Sequence, residues 1–325
     1  MKAILCHRYG TPDDLSLDEV AQPEPSTGEV AVRVAAAALN FFDTLIIAGK
    51  YQVKPAFPFS PGAEFAGVVE SVGPGVTALK PGDRVMGFSG YGAVREFVLA
   101  KAEQLVAVPE ALDLDRAAGL SVTYGTTIHA LRDRAALQPG ETLAVLGAAG
   151  GTGLSAIEIG KLMGARVIAC ASSDEKCDFA RRHGADEIVN YGREDLRGAL
   201  KTLTGGRGVD VMYDPIGGPY AEPALRSMAW EGRYLVIGFA AGEIPRIALN
   251  LVLLKACDLV GVHWGAFTER EPARQASNMT EIVRWCADGK LSGHVHATYP
   301  LHETAQALKD IAARKIMGKA IIRMD

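Results

Sequence analysis

Seven residues, Gly147-Ala148-Ala149-Gly150-Gly151-Thr152-Gly153, constrain this chain more than any other stretch. An apolar strand-like run, TLAVLG, leads into them, and a helix-compatible run, LSAIEIGKLMG, leads out to a second strand-like run, ARVIAC. Strand, glycine turn, helix and strand make a βαβ unit, whose turn bends sharply and lets backbone approach a pyrophosphate. Unpaired N–H groups at the helix start and the positive end of its dipole then meet the phosphate charge. The glycine spacing is a near-miss to G-x-G-x-x-G, so the flanking elements carry the assignment. They predict a dinucleotide site contacted by Ala149, Gly150, Gly151, Thr152 and Gly153.

A chain of 325 residues is long enough for about two domains with a sizeable core. Its net charge of -4, with no block of like charges, gives no electrostatic footprint for nucleic acid or an anionic membrane. A small-molecule partner is therefore expected. The cysteines, Cys6, Cys170, Cys177, Cys257 and Cys286, are odd in number and form no C-x-x-C pair, which argues against a disulfide framework and a zinc ribbon. MKAILCHRYG lacks a secretory pattern, and no run of about 18 apolar residues occurs, so a cytoplasmic, non-membrane protein is expected.

The first part of the chain reads as short strands cut by Pro and Gly: EVAVRVAAAAL, EFAGVVESVG, DRVMGF, REFVLA and QLVAVP. From about Thr123 strands alternate with helical patterns: TLAVLG, RVIAC, EIVN, VDVMY, RYLVIG and DLVGV. This rhythm predicts an α/β fold with a doubly wound parallel sheet. After Trp264 two helical stretches and a closing strand, KAIIRM, are read as a return to the first domain. The expected division is a β-rich domain over 1–122, a nucleotide domain over 123–263 and a return over 264–325.

The whole chain resembles the zinc-free quinone oxidoreductases, similar to ζ-crystallin, within the medium-chain dehydrogenase/reductase superfamily. The resemblance rests on A-A-L-N-F-F-D at Ala37 to Asp43, P-G-A-E-F-A-G-V-V at Pro61 to Val69, and the glycine loop. It implies a GroES-like catalytic domain beside a Rossmann-type NADP-binding domain. Positions that match the catalytic zinc ligands of metal-dependent relatives carry Asn40, Ala63 and Val122, none of them a useful zinc ligand. The four-cysteine lobe of those relatives is missing after Arg84-Val85. Reduction of an activated, conjugated acceptor is then favoured over alcohol oxidation, which needs a Lewis acid to hold an alkoxide. His294 and His296 form an H-x-H with no third ligand nearby in sequence and are read as surface histidines.

An NAD enzyme places Asp or Glu at the tip of the second nucleotide-domain strand to hold the ribose 2′-OH. Here that tip reads Cys170-Ala171-Ser172-Ser173, then Asp174-Glu175-Lys176. Ser172 and Lys176 can meet a 2′-phosphate, which predicts NADPH. Asp174 stands against this, since its charge could repel the phosphate, and Ser173 and Lys176 equally suit a helix cap and a solvated helix residue. The resemblance adds Tyr191 and Arg314 as phosphate contacts and sets Thr126 against the nicotinamide. Gly217 and Gly218, then Gly238 and Phe239, follow strands whose carboxyl ends are where ligands of open α/β sheets collect.

The acceptor side falls on Asn40, Asp43 and Tyr51. By resemblance Asn40 lies near the nicotinamide, and Tyr51 matches the tyrosine with which enoyl-thioester reductases position or protonate substrate. Bracing of a loop by Asn40 and Asp43 is the competing reading. Leu45 replaces a second tyrosine found in many quinone oxidoreductases. The expected function is an NADPH-dependent, zinc-independent reductase of quinones or related conjugated carbonyls. Its rivals are an enoyl-thioester or alkenal reductase and a catalytically idle NADPH-binding protein. A homodimer is expected, joined near Leu259 to Val262, where LNLVLLKACDLVGV is more apolar than an exposed sheet edge should be.

Overall fold

A computed structural model describes residues 1–324. The chain forms two compact units, Met1–Gly125 with the segment from Phe267 onward, and Thr126–Ala266. Both switches fall three residues beyond those read from the sequence, inside the helices Ser121–Ile128 and Trp264–Arg270, where no change of composition marks them.

The first unit opens with β1 (Lys2–Leu5) and β2 (Ser16–Glu19), an antiparallel pair. Its main sheet is built on β3 (Glu29–Leu39), whose β-branched residues and fully buried Ala36, Ala37 and Ala38 suit a strand packed on both faces. After α1 (Phe41–Ile47) come β4 (Glu64–Val72), β5 (Arg84–Phe88), β6 (Phe97–Lys101) and β7 (Val106–Ala107). Only two residues of the QLVAVP run are strand, because a 3-10 turn at Ala102–Gln104 takes up the chain before it. Two further helices follow, α2 (Leu114–Ala118) and α3 (Ser121–Ile128).

The second unit alternates β8 (Thr142–Leu146), α4 (Gly151–Leu162), β9 (Arg166–Ala171), α5 (Asp174–Arg182), β10 (Glu187–Asn190), α6 (Leu196–Leu203), β11 (Val209–Asp214), α7 (Ala221–Arg226), β12 (Met228–Val236), α8 (Leu249–Lys255) and β13 (Asp258–Gly261). All six strands are parallel, in the order β10-β9-β8-β11-β12-β13. Strands β8 and β9 are almost wholly buried, as expected of a sheet covered on both faces. Strand order reverses between β8 and β11, and ligands of such sheets bind outside the strand carboxyl ends at that point.

The chain then runs through α9 (Trp264–Arg270), α10 (Pro272–Ala287), β14 (Val295–Pro300), α11 (Thr304–Ala312) and β15 (Lys319–Arg323). Strand β15 pairs antiparallel with β3 and parallel with β14, so the last strand joins the sheet that the first hundred residues began. The first unit's core gathers Ile46, Ile47, Phe65, Val85 and Ile322. The second gathers Leu146, Ile168, Val189, Met212 and Tyr234.

Candidate active site

Strand β8 delivers the chain to Gly147, whose φ of +59° is reached without strain only by glycine. The turn closes on itself, with the Gly150 N–H donating to the Gly147 carbonyl at 2.9 Å, so this amide, read from the sequence as a phosphate contact, is already engaged. Helix α4 starts at Gly151, leaving its first-turn N–H groups without partners one turn back. A Cβ on Gly153 would lie 2.3 Å from the Gly147 carbonyl oxygen and 2.7 Å from the Ala148 Cα. Only hydrogen fits there, and the resulting cradle of backbone donors suits a pyrophosphate. Beneath it the Ser155 hydroxyl donates to the Thr152 carbonyl at 3.0 Å and meets Thr127 Oγ1 at 2.7 Å, which in turn meets the Tyr213 hydroxyl at 2.9 Å. These buried hydroxyls fix the helix that carries Thr126 to the loop.

At the tip of β9, Ser173 caps α5 by accepting the Lys176 N–H at 3.4 Å, while Ser172 is exposed. Tyr191 follows β10 and donates its backbone N–H to the Ala171 carbonyl at 3.0 Å, its ring resting 4.5 Å from that of Tyr220. A Cβ on Gly192 would come 2.5 Å from the Ser172 carbonyl, so the two loops touch. Asp174 accepts from Asn190 Nδ2 and from Arg193 Nη1, each at 2.8 Å. Its charge is thereby balanced by an arginine that sequence reading missed, 19 residues away.

Asp214, at the end of β11, was also missed. One of its oxygens accepts the Ile216 and Gly217 N–H groups at 2.7 and 2.8 Å, and the other accepts from the Tyr234 hydroxyl. Burial pushes its carboxyl pKa above the ordinary range. A Cβ on Gly217 would meet the Phe239 ring at 2.8 Å, and Ala240 and Ala241 donate to the Pro215 and Ile216 carbonyls. The loops holding Gly217, Gly238 and Phe239 are therefore zipped together at the strand ends. Arg314 belongs to the first unit, just after α11, and has a left-handed φ of +58°.

In the first unit, Asn40 caps α1 at the end of β3 and Asp43 follows three residues on, each engaged with the other's backbone. Asp43 is fully buried, and its two oxygens accept the Asn40 N–H at 2.7 Å and the Gly62 N–H at 3.0 Å. Burial raises its pKa to about 7 against those stabilising N–H groups. With no surface open to a ligand, Asp43 braces the loop, which departs from its expected place among substrate-contacting groups. Tyr51 is half-buried and stacks on Phe42 at 5.4 Å. Burial first, and the Asp43 charge second, raise its phenol pKa, keeping the proton on at neutral pH.

The side chain of Asn40 is held from both ends. Its Nδ2 donates to Glu64 Oε1 at 2.9 Å, and its Oδ1 accepts from the Lys319 ammonium at 2.7 Å. Lys319 also donates to Glu64 Oε1 at 2.7 Å and to the Leu39 carbonyl at 3.0 Å, which uses all three of its donors. The other Glu64 oxygen accepts the Val122 N–H at 2.8 Å. Glu64 is completely buried and Lys319 nearly so. Neither was singled out from the sequence, although Glu64 lies within the P-G-A-E-F-A-G motif. Ala63 and Val122 offer no coordinating atom, and His296 is exposed on β14. Among the described residues no three His, Cys, Asp or Glu side chains gather as a metal site.

Two family models match the chain: the alcohol dehydrogenase GroES-like domain over residues 26–110 and the zinc-binding dehydrogenase over residues 151–281. A quinone oxidoreductase-like protein 2 of Rattus norvegicus is 40% identical over 99% of this chain and 92% of its own length. Among solved structures, Escherichia coli quinone oxidoreductase complexed with NADPH superposes with a TM-score of 0.92 at 30% identity, each chain covered completely. CurK enoyl reductase superposes with a TM-score of 0.90 at 27% identity, covering 100% of this chain and 99% of that one.

Proposed function

For a chain that belongs to the quinone oxidoreductases of the medium-chain dehydrogenase/reductase superfamily, we propose an NADPH-dependent, zinc-independent reduction of quinones or related conjugated carbonyls. The observation that carries this reading is the Asn40–Glu64–Lys319 cluster. Where metal-dependent relatives present a zinc-binding thiolate, this chain presents an amide whose oxygen is taken by an ammonium at 2.7 Å. A second cation set at that oxygen would face the lysine charge at close range in a buried place, a costly arrangement.

NADPH is preferred over NADH because the 2′ position is offered Ser172, Lys176 and Tyr191, while Arg193 and Asn190 hold Asp174. Bound there, NADPH supplies the hydride. The glycine loop holds the pyrophosphate, and Thr126, Gly217, Gly238 and Phe239 orient the nicotinamide. Asn40, fixed by Glu64 and Lys319, keeps one amide N–H for an acceptor oxygen, and Asp43 holds its loop in place. Tyr51, protonated at neutral pH, donates a proton where the acceptor cannot take one from water.

That last role separates quinones from the enoyl thioesters and alkenals suggested by likeness to an enoyl reductase. A carbanion needs a positioned acid, so Tyr51→Phe should lower kcat on an enone or enoyl thioester by about 10²–10⁴-fold. On a quinone, whose oxygens take protons from solvent, the loss should stay below about tenfold. The check is steady-state NADPH oxidation by wild type and variant on both acceptor types. Tight NADPH binding without turnover of any acceptor would leave only the idle nucleotide binder.

The chain acts as a homodimer in the cytoplasm on this reading. Helix α8 leaves Leu249, Leu253 and Leu254 at least 71% exposed beside the edge strand β13, an apolar surface that a second copy would cover. Light scattering should give twice the 34.4 kDa of one chain, and a monomeric mass would refute it.

A further inference from the structure

The first unit carries a second concentration of chemistry, an aromatic row that ends beside an arginine without an acid. Tyr9 and Phe57 meet edge to face with centroids 4.7 Å apart, Phe57 lies 5.6 Å from Phe59, and Phe59 lies 6.2 Å from Tyr91. Phe59 is buried, whereas Tyr9, Phe57 and Tyr91 keep 40, 41 and 39% of their surface exposed. Aromatic rings left partly open in a row offer apolar surface for the ring of a ligand. The row borders the Asn40–Tyr51 region. A Cβ on Gly49 would sit 2.9 Å from the Tyr9 ring, and Ala93 and Val94 donate to the carbonyls of Gly62 and Pro61, next to the amide that anchors Asp43.

Arg95 closes this row. Its Nε is sealed from solvent with no acceptor, and among the described residues no carboxylate stands within ion-pair range of its guanidinium. Its outer amino group lies beside the turn at Tyr91 and Gly92, where a Cβ on Gly92 would be 3.3 Å from it. Burial pulls the guanidinium pKa below its ordinary value. Other half-buried arginines find acceptors: Arg233 grips both oxygens of Glu141 at 2.8 and 2.6 Å, and Arg116 donates to the Ser292 and Leu291 carbonyls. Arg95 is half-buried, and a guanidinium with a sealed, unmet Nε is less favourable than one in water, a cost that a ligand bringing the missing charge would offset.

We propose that Tyr9, Phe57, Tyr91 and Arg95 form a subsite for acceptors that join a flat conjugated ring to an anionic carboxylate or sulfonate. The ring lies on the aromatic row and the anion meets the guanidinium. This rests on the reductase reading of the neighbouring site.

The test has two arms. In the first, calorimetry measures binding of naphthalene-2-sulfonate and of its neutral analogue naphthalene-2-sulfonamide, neither of them reducible. The sulfonate should bind roughly tenfold tighter to wild type, as one charge-assisted contact of about 1.4 kcal/mol implies. Arg95→Met should erase that difference and Arg95→Lys should retain part of it. In the second arm, NADPH oxidation is measured with 1,2-naphthoquinone and its 4-sulfonate. Arg95→Met should cost the sulfonate roughly tenfold more in kcat/KM than it costs the neutral quinone. Equal losses on both acceptors, with equal binding of both naphthalenes, would overturn the subsite and leave the reductase standing. Arg95-dependent sulfonate binding without reduction of either quinone would uphold the subsite and remove the reductase.

Discussion

The two units hold their candidate residues in different ways. In the nucleotide unit the working atoms are mostly backbone: helix-start N–H groups after β8, and glycines where strands end. In the acceptor unit they are side chains locked in a buried polar cluster, with Asn40 held by Glu64 and Lys319. Backbone geometry is set by nearby sequence, while a buried charge pair depends on partners that only the finished fold assembles. The first kind of site should fail locally, and the second should fail together with the stability of its unit.

The largest expected effect tests the second half of this contrast. Lys319→Met leaves the carboxylate of Glu64 buried and unpaired, which costs about 3–5 kcal/mol. Denaturant unfolding should show that loss, and the double variant Lys319→Met with Glu64→Gln should recover much of it. If the single and double variants are equally destabilised, the pair is not coupled as described.

Gly153→Ala tests the first half. The added Cβ cannot coexist with the Gly147 carbonyl at 2.3 Å, so the loop must shift away from the pyrophosphate. NADPH affinity should fall by roughly 100-fold, equivalent to two lost contacts of about 1.4 kcal/mol, with little change in the melting of the acceptor unit. Fluorescence titration beside circular dichroism would read both quantities, and unaltered NADPH affinity would exclude the loop as the phosphate site.

The third effect concerns pH. Asp43 has a folded pKa of about 7, above the 3.8 of the free group, so the folded chain binds its proton more tightly. Stability from this residue is present below about pH 4 and is lost as pH rises toward 7, at up to about 1.4 kcal/mol per pH unit. Asp43→Asn should flatten that slope in melts recorded across pH 4 to 7. A slope unchanged by the substitution would assign it elsewhere.

Much of the nucleotide unit was legible because its signals are short. TLAVLG, the glycine turn and the next helix lie within some twenty consecutive residues, and each later strand is its own apolar run. Even there Arg193 escaped notice, since nothing local ties it to Asp174. In the acceptor unit the A-A-L-N-F-F-D and P-G-A-E-F-A-G stretches drew attention to Asn40 and Asp43, but not to what they do. Asp43 reads as a candidate for chemistry until its full burial and two backbone donors are seen. Lys319 sits in an unremarkable G-K-A-I-I-R ending, 255 residues from Glu64, and no periodicity joins the two. Arg95 likewise looks like an ordinary strand-edge charge until its surroundings are known.

The placement of Lys319 bears on how the protein is made. Translation runs from the N-terminal side, so the ribosome releases Glu64 long before the lysine that neutralises it, 255 residues further along the chain. The intervening nucleotide unit is contiguous, can bury its own parallel sheet and is free to fold as it emerges. The unit begun first is finished last. Until β15 docks against β3, a nascent chain carries an unmatched carboxylate and an open sheet edge, and a truncation that removes only the final strand condemns the earliest part of the molecule.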